Sequence, residues 1–278
     1  MLAEDGRVYE CRARGIFRKD GDKPLVGDIV GISVIDDAAS IGSVECISER
    51  KNRLIRPEAA NVDQVLLVFA FDKPKPNPVL LDRFLISLRQ NGVPCVLLFN
   101  KRDLTDEQEA RFLMESYRYA VSDVRAVCAL EDDFKDTLKE ILCGRISLLA
   151  GPSGVGKSTI LNALCPGAAA QTGEISRKLK RGKHTTRHSE LFAIEGGGYL
   201  MDTPGFTALE LYDIDAEDVR YEYPEFEAYT PKCRFADCMH IKEPDCEVRR
   251  AASEDIIPRL RYENYCAIYA EQKEKKRY

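Results

Sequence analysis

An α/β fold built on a mainly parallel sheet, with a small β domain before it and a cysteine-bearing module after it, is what this sequence predicts from three observations. From Asn61 onward, unbroken apolar runs alternate with stretches of helical periodicity, the pattern of a sheet covered on both faces. Before that point the chain reads as short strands broken by turns. After Asp215 it becomes acidic and aromatic and then enters a Cys/His cluster. Boundaries at 1–57, 58–214 and 215–278 follow, and a length of 278 residues suits two or three such units.

In the first unit, Val8 to Phe17, Ile29 to Val34 and Ser43 to Ile47 read as strands. Basic residues recur there, at Arg7, Arg12, Arg14, Arg18 and Lys19 and again at Arg50, Lys51, Arg53 and Arg56. Composition alone favours a solvated surface over a nucleic-acid-binding barrel. In the second unit the strands are Val65 to Phe71, Cys95 to Phe99, Val124 to Cys128, Ile146 to Ala150 and Tyr199 to Met201. Asn77 caps a helix with Pro78 at its first position, Leu81, Phe84, Leu85 and Leu88 on one face, and Gly92 at its close. Thr105 with Gln108 forms a capping box for the next helix. Leu191 to Ile194, the turn Gly196-Gly197-Gly198 and Tyr199 to Met201 make a hairpin, and a last helix starts near Pro258.

A net charge of −5 argues against a uniformly basic nucleic-acid binder while leaving local basic patches open. The longest apolar runs, such as Val65 to Phe71, are far too short to cross a bilayer, so no membrane partner is expected. An acidic N-terminus where a secretory signal needs a basic one predicts a cytoplasmic protein. In a reducing compartment ten cysteines point to metal ligation or plain burial, not to disulfides.

Gly151-Pro152-Ser153-Gly154-Val155-Gly156-Lys157-Ser158 fits G-x-x-x-x-G-K-[ST] between a strand and a helix. Its glycines let backbone N–H groups turn inward around phosphates, and the helix N-terminus that continues through Thr159 adds partial positive charge. Lys157 reaches the β- and γ-phosphates, and Ser158 ligates Mg²⁺. Asp202-Thr203-Pro204-Gly205 follows a later strand. D-x-x-G occurs by chance about once in a chain of this size, so position is what makes it credible. Asp202 is expected to hold Mg²⁺ and the Gly205 N–H to contact the γ-phosphate. Between the two motifs lies RKLKRGKHTTRH, where Thr186, or failing that Thr185, supplies the third Mg²⁺ contact. The plainer reading of that stretch is a solvated basic loop.

The base is read at Asn100-Lys101-Arg102-Asp103, directly after an apolar strand. A carboxylate at Asp103 accepts both N1–H and N2–H of guanine, a donor pair that adenine lacks. Lys101 lies against the ring, and Asn100 ties this loop to the phosphate loop. Cys128-Ala129 stands where Ser-Ala often closes over guanine O6, with the alanine N–H as donor. GTP and GDP are therefore the expected ligands. The order is base reader, base lid, phosphate loop, an expected mobile loop and Mg²⁺ aspartate, whereas ordinary small GTPases begin with the phosphate loop. A single pocket follows if the chain was cut after Gly205 and its old ends were joined, as a fold with neighbouring termini tolerates.

These motifs, with GIFRK, PLVGD, NVDQVLLVF, LLDRFL, NKRDL, GPSGVGKS, RGKHTTRH, DTPGF and the final cysteine cluster, closely resemble the circularly permuted, ribosome-associated GTPases of the RsgA family. The resemblance covers nearly the whole chain. It implies an N-terminal OB-fold, a permuted G domain, a zinc-binding, mainly helical C-terminal domain, and action in late maturation of the small ribosomal subunit, with that subunit and its rRNA as partners of a monomer. One departure is that family members carry a further strand before the counterpart of RVYECRARG, so the barrel is expected to be incomplete.

Cys233-x4-Cys238-x-His240-x5-Cys246 offers three thiolates and one imidazole, enough for a closed tetrahedral Zn²⁺ site with no open position for catalysis. Three buried thiols beside an unrelated histidine are the alternative. For hydrolysis, Phe206 stands after D-x-x-G where many GTPases place a glutamine, and His184 is expected to position the attacking water instead. Two other classes use the same residues differently. One is a P-loop ATPase or kinase whose NKRD is accidental, and the other an RNA-binding assembly scaffold with vestigial hydrolysis.

Overall fold

Seven consecutive buried residues, Gln64–Ala70, form the strand around which the sheet is organised (β6). The computed structural model describes residues 1–13, 17, 23–55, 57–131, 133–166, 189–202 and 214–275. β6 pairs in parallel with β7 (Cys95–Asn100) on one side and with β9 (Ile146–Ala150) on the other. Beyond β7 lies β8 (Asp123–Ala126); beyond β9 lie β11 (Tyr199–Asp202) and, antiparallel at the edge, β10 (Glu190–Ala193). The spatial order is thus β10-β11-β9-β6-β7-β8. The chain builds one half outward from β6, then returns to the centre at β9 to begin the other half.

Alternate residues of β6 serve opposite cores. Val65, Leu67 and Phe69 pack with α1 (Pro78–Gln90) and α2 (Glu107–Tyr117). Leu66, Val68 and Ala70 pack with α3 (Phe134–Leu142) and α4 (Lys157–Leu164). Asn77 caps α1 as expected, its side chain accepting from the Leu80 N–H at 3.1 Å. The cap of α2 sits one residue later than expected: Asp106, not Thr105, accepts from the Glu109 N–H, at 2.8 Å. The Thr105 hydroxyl bonds the Glu109 carboxylate instead.

Before the sheet, β1 (Glu10–Ala13), β2 (Val30–Asp36) and β3 (Ile41–Ile47) form a three-stranded sheet in the order β1-β3-β2, and β4 (Arg53–Leu54) pairs with β5 (Ala59–Ala60). β1 starts at Glu10, two residues later than the Val8 expected, and Val8 instead bridges to Leu2; residues 14–16 lie outside the described residues. Among the described residues this sheet is open. Among the basic residues read from the sequence, Arg7 pairs with Asp37 at 2.8 Å, Arg50 with Asp28 at 2.7 Å, and Lys51 with Asp63 at 2.5 Å. The Arg50 pair ties the first unit to itself, and the Lys51 pair binds it to the start of the second.

The last unit contributes short 3₁₀ turns, α5 (Glu247–Ser253) and α6 (Arg259–Lys275). Its core of Tyr223, Phe226, Val248, Tyr265 and Ile268 also includes Ile86 from α1. The third module is therefore not packed on itself alone.

Candidate functional site

The carboxyl ends of β6, β7, β8, β9 and β11 open on one edge of the sheet, and the connections diverge from β6 and β9 to opposite sides. In an open α/β sheet that divergence is where a crevice forms for a ligand. Every nucleotide motif read from the sequence and described in the structure lies at these strand ends.

From β9 the chain turns through Gly151 at φ +133°, where an added Cβ would stand 2.1 Å from the Val68 carbonyl oxygen. At Gly156, φ +101°, a Cβ would stand 2.3 Å from Asn100 Nδ2. Glycine is required at both because loop backbone, β6 and the Asn100 side chain approach without room for a methyl. Lys157 opens α4 and donates from Nζ to the Gly151 and Pro152 carbonyls at 2.7 and 2.6 Å. Burial pulls its pKa down, while the charge of Asp202 at the end of β11 holds it up. Ser158 is exposed at the helix start, with Thr159 beside it. Phosphate oxygens offered to this loop compete with neutral carbonyls for Lys157, and the charged acceptor is the stronger.

Asn100, buried at the end of β7, donates from Nδ2 to the Val155 carbonyl at 2.9 Å and accepts on Oδ1 from the Ala129 N–H at 3.1 Å. Lys101, in the left-handed region at φ +62°, donates to the Gly154 carbonyl at 2.8 Å and to the Lys73 carbonyl. The base-reading loop is thereby fastened to the phosphate loop from the far side of the sequence. The Ala129 N–H, expected to meet guanine O6, donates to Asn100 here. β8 ends at Ala126, not at Cys128, and the released Cys128 thiol points to Asp103 Oδ1 at 3.2 Å. Glu190, opposite Asp202 in the β10–β11 ladder, escaped sequence reading; burial and the Asp202 charge raise its pKa. The signal was the ladder register, which motif spacing does not carry. His184, Thr185, Thr186 and Gly205 lie outside the described residues, as do Thr203 and Phe206.

In the third module, one ligand atom from each of Cys233, Cys238, His240 and Cys246 lies within 4.8 Å of the others. Sγ of Cys233 is 3.9 Å from Sγ of Cys246, and His240 Nδ1 is 3.7 and 3.4 Å from those two sulfurs. Zinc–ligand bonds of ordinary length at tetrahedral angles set edges of about 3.8 Å between sulfurs and about 3.6 Å from sulfur to nitrogen. The spacing of Cys233, His240 and Cys246 matches three edges of such a tetrahedron, Cys238 lies within 4.8 Å of them, and the Cys233–Cys246 separation is well beyond disulfide length, a cluster compatible with a zinc site. Burial lowers the His240 pKa to about 4, which keeps the imidazole neutral and able to ligate. Glu243 staples the loop by accepting from the N–H groups of Met239, Ile241 and Lys242 at 3.0, 2.9 and 2.9 Å.

Comparison with known proteins places these features in a lineage. The RsgA GTPase family model matches residues 47–212, and the RsgA N-terminal domain model matches residues 1–41. The small ribosomal subunit biogenesis GTPase RsgA of Agathobacter rectalis is 48% identical over 276 residues, covering 99% of this chain and 91% of that protein. Its counterpart from Carboxydothermus hydrogenoformans is 47% identical over 264 residues, covering 95% and 90%. Among solved structures, YjeQ from Thermotoga maritima superposes with a TM-score of 0.78 at 36% identity, covering 97% of this chain and 91% of that one. YloQ, described as a circularly permuted GTPase, superposes at 0.76 with 35% identity, covering 98% and 89%.

Proposed function

The chain belongs to the RsgA GTPase family, and on that premise we propose that it binds the small ribosomal subunit with GTP in its pocket and leaves after hydrolysing GTP to GDP and phosphate. It is a circularly permuted GTPase of small ribosomal subunit biogenesis. A ribosomal partner sets its place in the cytoplasm, and among the described residues no helix is long and apolar enough to cross a membrane.

The observation that carries the reading is the pair of hydrogen bonds made by the Asn100 amide, to Val155 and to Ala129. One side chain holds base reader, base lid and phosphate loop together across 55 and 29 residues of sequence. In this reading Asp103 accepts from the guanine edge and Lys101 covers the ring. Backbone N–H groups from Gly151 to Gly156 surround the phosphates, and Lys157 transfers from its loop carbonyls to the β- and γ-oxygens. Ser158 and Asp202 would hold Mg²⁺, which neutralises charge on the phosphates. The arrangement is one of positioning and electrostatics, which is what phosphoryl transfer asks of a protein. Cys233, Cys238, His240 and Cys246 would hold one structural Zn²⁺. The first unit carries the proposed rRNA contact, for which Arg50 and Lys51 are poor candidates because Arg50 is engaged by Asp28 and Lys51 by Asp63.

GTP turnover, measured with and without isolated small ribosomal subunits, tests the proposal. Subunits should raise turnover, Lys157→Ala should abolish it, and excess ATP should leave it unchanged. Turnover indifferent to subunits, or suppressed equally by ATP and GDP, would count against it.

A further inference from the structure

Thr230 lies in a 3₁₀ turn (Thr230–Lys232) just before the first cysteine of the cluster. Its hydroxyl stands 3.0 Å from the Phe226 carbonyl oxygen and 3.3 Å from Nε2 of His240. A carbonyl only accepts, so the single hydroxyl hydrogen is directed at Phe226, and toward His240 the oxygen presents a lone pair. The nitrogen facing it must then carry the hydrogen. A neutral imidazole has one N–H, so with Nε2 protonated Nδ1 is bare, and Nδ1 is the atom that faces Cys233 and Cys246 at 3.7 and 3.4 Å. The backbone reinforces this aim, because His240 is held at φ +59° and its carbonyl accepts from the Tyr262 hydroxyl at 2.7 Å.

We infer that Thr230 is a positioning residue for the metal centre: by accepting the Nε2–H of His240 it holds the ring in the tautomer and orientation whose Nδ1 completes the zinc tetrahedron. The inference rests on the zinc reading above. Hydrogen bonding behind a ligating histidine typically changes metal affinity by about 10- to 100-fold, and nothing in the motif spacing marks Thr230 for such a role.

Zinc competition with a chromophoric chelator on the full chain tests it. Thr230→Val, which keeps the shape and removes the acceptor, should bind zinc about tenfold or more weakly, and Thr230→Ser should stay close to the wild type. Thr230→Val equal to the wild type, or Thr230→Ser as impaired as Thr230→Val, overturns the inference. A wild-type chain that takes up no zinc overturns the zinc reading itself and is seen before any variant is made. Should Thr230→Val not fold, nitrogen-15 spectra of the zinc-loaded wild type decide. A slowly exchanging His240 Nε2 proton supports the bond to Thr230, and one exchanging as fast as free imidazole overturns it.

Discussion

In the proposed reading guanine preference turns on Asp103, whose carboxylate accepts from a thiol. Cys128 donates from Sγ to Oδ1 at 3.2 Å. Burial, and then the Asp103 carboxylate itself, raise the thiol pKa, so the sulfur keeps its hydrogen at neutral pH and remains a donor. Cys128→Ser should therefore leave GDP affinity within about twofold, since a hydroxyl donates at least as well. Cys128→Val keeps the bulk without the donor and should weaken GDP by about 1 kcal/mol, or roughly fivefold. Fluorescent-nucleotide titration reads both, and a valine variant binding like the wild type would show that Asp103 orients itself. At this scale the sequence singles out residues where chemistry fixes residue type, as at Asp103, Lys157 and the four candidate zinc ligands, the last of which the fold brings together. It was silent on pairings made by loop geometry. Cys128 read as a weak departure from Ser-Ala, and only the end of β8 at Ala126 shows where its sulfur points.

Helix α1 shows why element positions were easier to read than element surroundings. Leu81, Phe84, Leu85 and Leu88 announced one apolar face, and they bury against the sheet as expected. Asp82, a charge between two of them, is fully buried beneath the third module. Arg261 of α6 pairs there with Asp82, and with Glu225 at 2.7 Å, while the Tyr223 hydroxyl donates to Asp82 at 2.9 Å. Ile86 on the same side joins the core of that module. A charge between apolar residues gives no hint that another charge, 179 positions later by numbering from Asp82 to Arg261, arrives to cover it. Arg261→Met should leave two buried carboxylates without a counter-charge and cost about 3–5 kcal/mol. Urea unfolding followed by circular dichroism measures that loss, and native-state hydrogen exchange should place it in α6 and α1. An unchanged midpoint would mean that water reaches the cluster and the buried pair contributes nothing.

Across the whole molecule the order of parts in space differs from their order in the chain, and both orders matter. The motifs disclosed a permuted pocket because each motif belongs at a strand end whatever the connectivity. They did not disclose that the zinc-candidate module shares a core with α1, because burial between distant units leaves no periodic trace. α1 follows the loop whose Lys73 carbonyl receives Lys101, so the guanine side of the pocket, α1 and the metal module form one contiguous chain of contacts. Metal removal should therefore reach the nucleotide. Ligand binding and folding are coupled in closed zinc sites. Stripping the ion should loosen the core around Phe226 and Tyr265, take support from Ile86, and weaken GDP by about fivefold, the lower end of ordinary coupling between sites. The measurement is GDP titration of the full chain before and after chelation, with zinc restored as the control. If helical signal falls while GDP affinity holds, α1 stands without the module beside it, and the shared core is a matter of packing and not of communication.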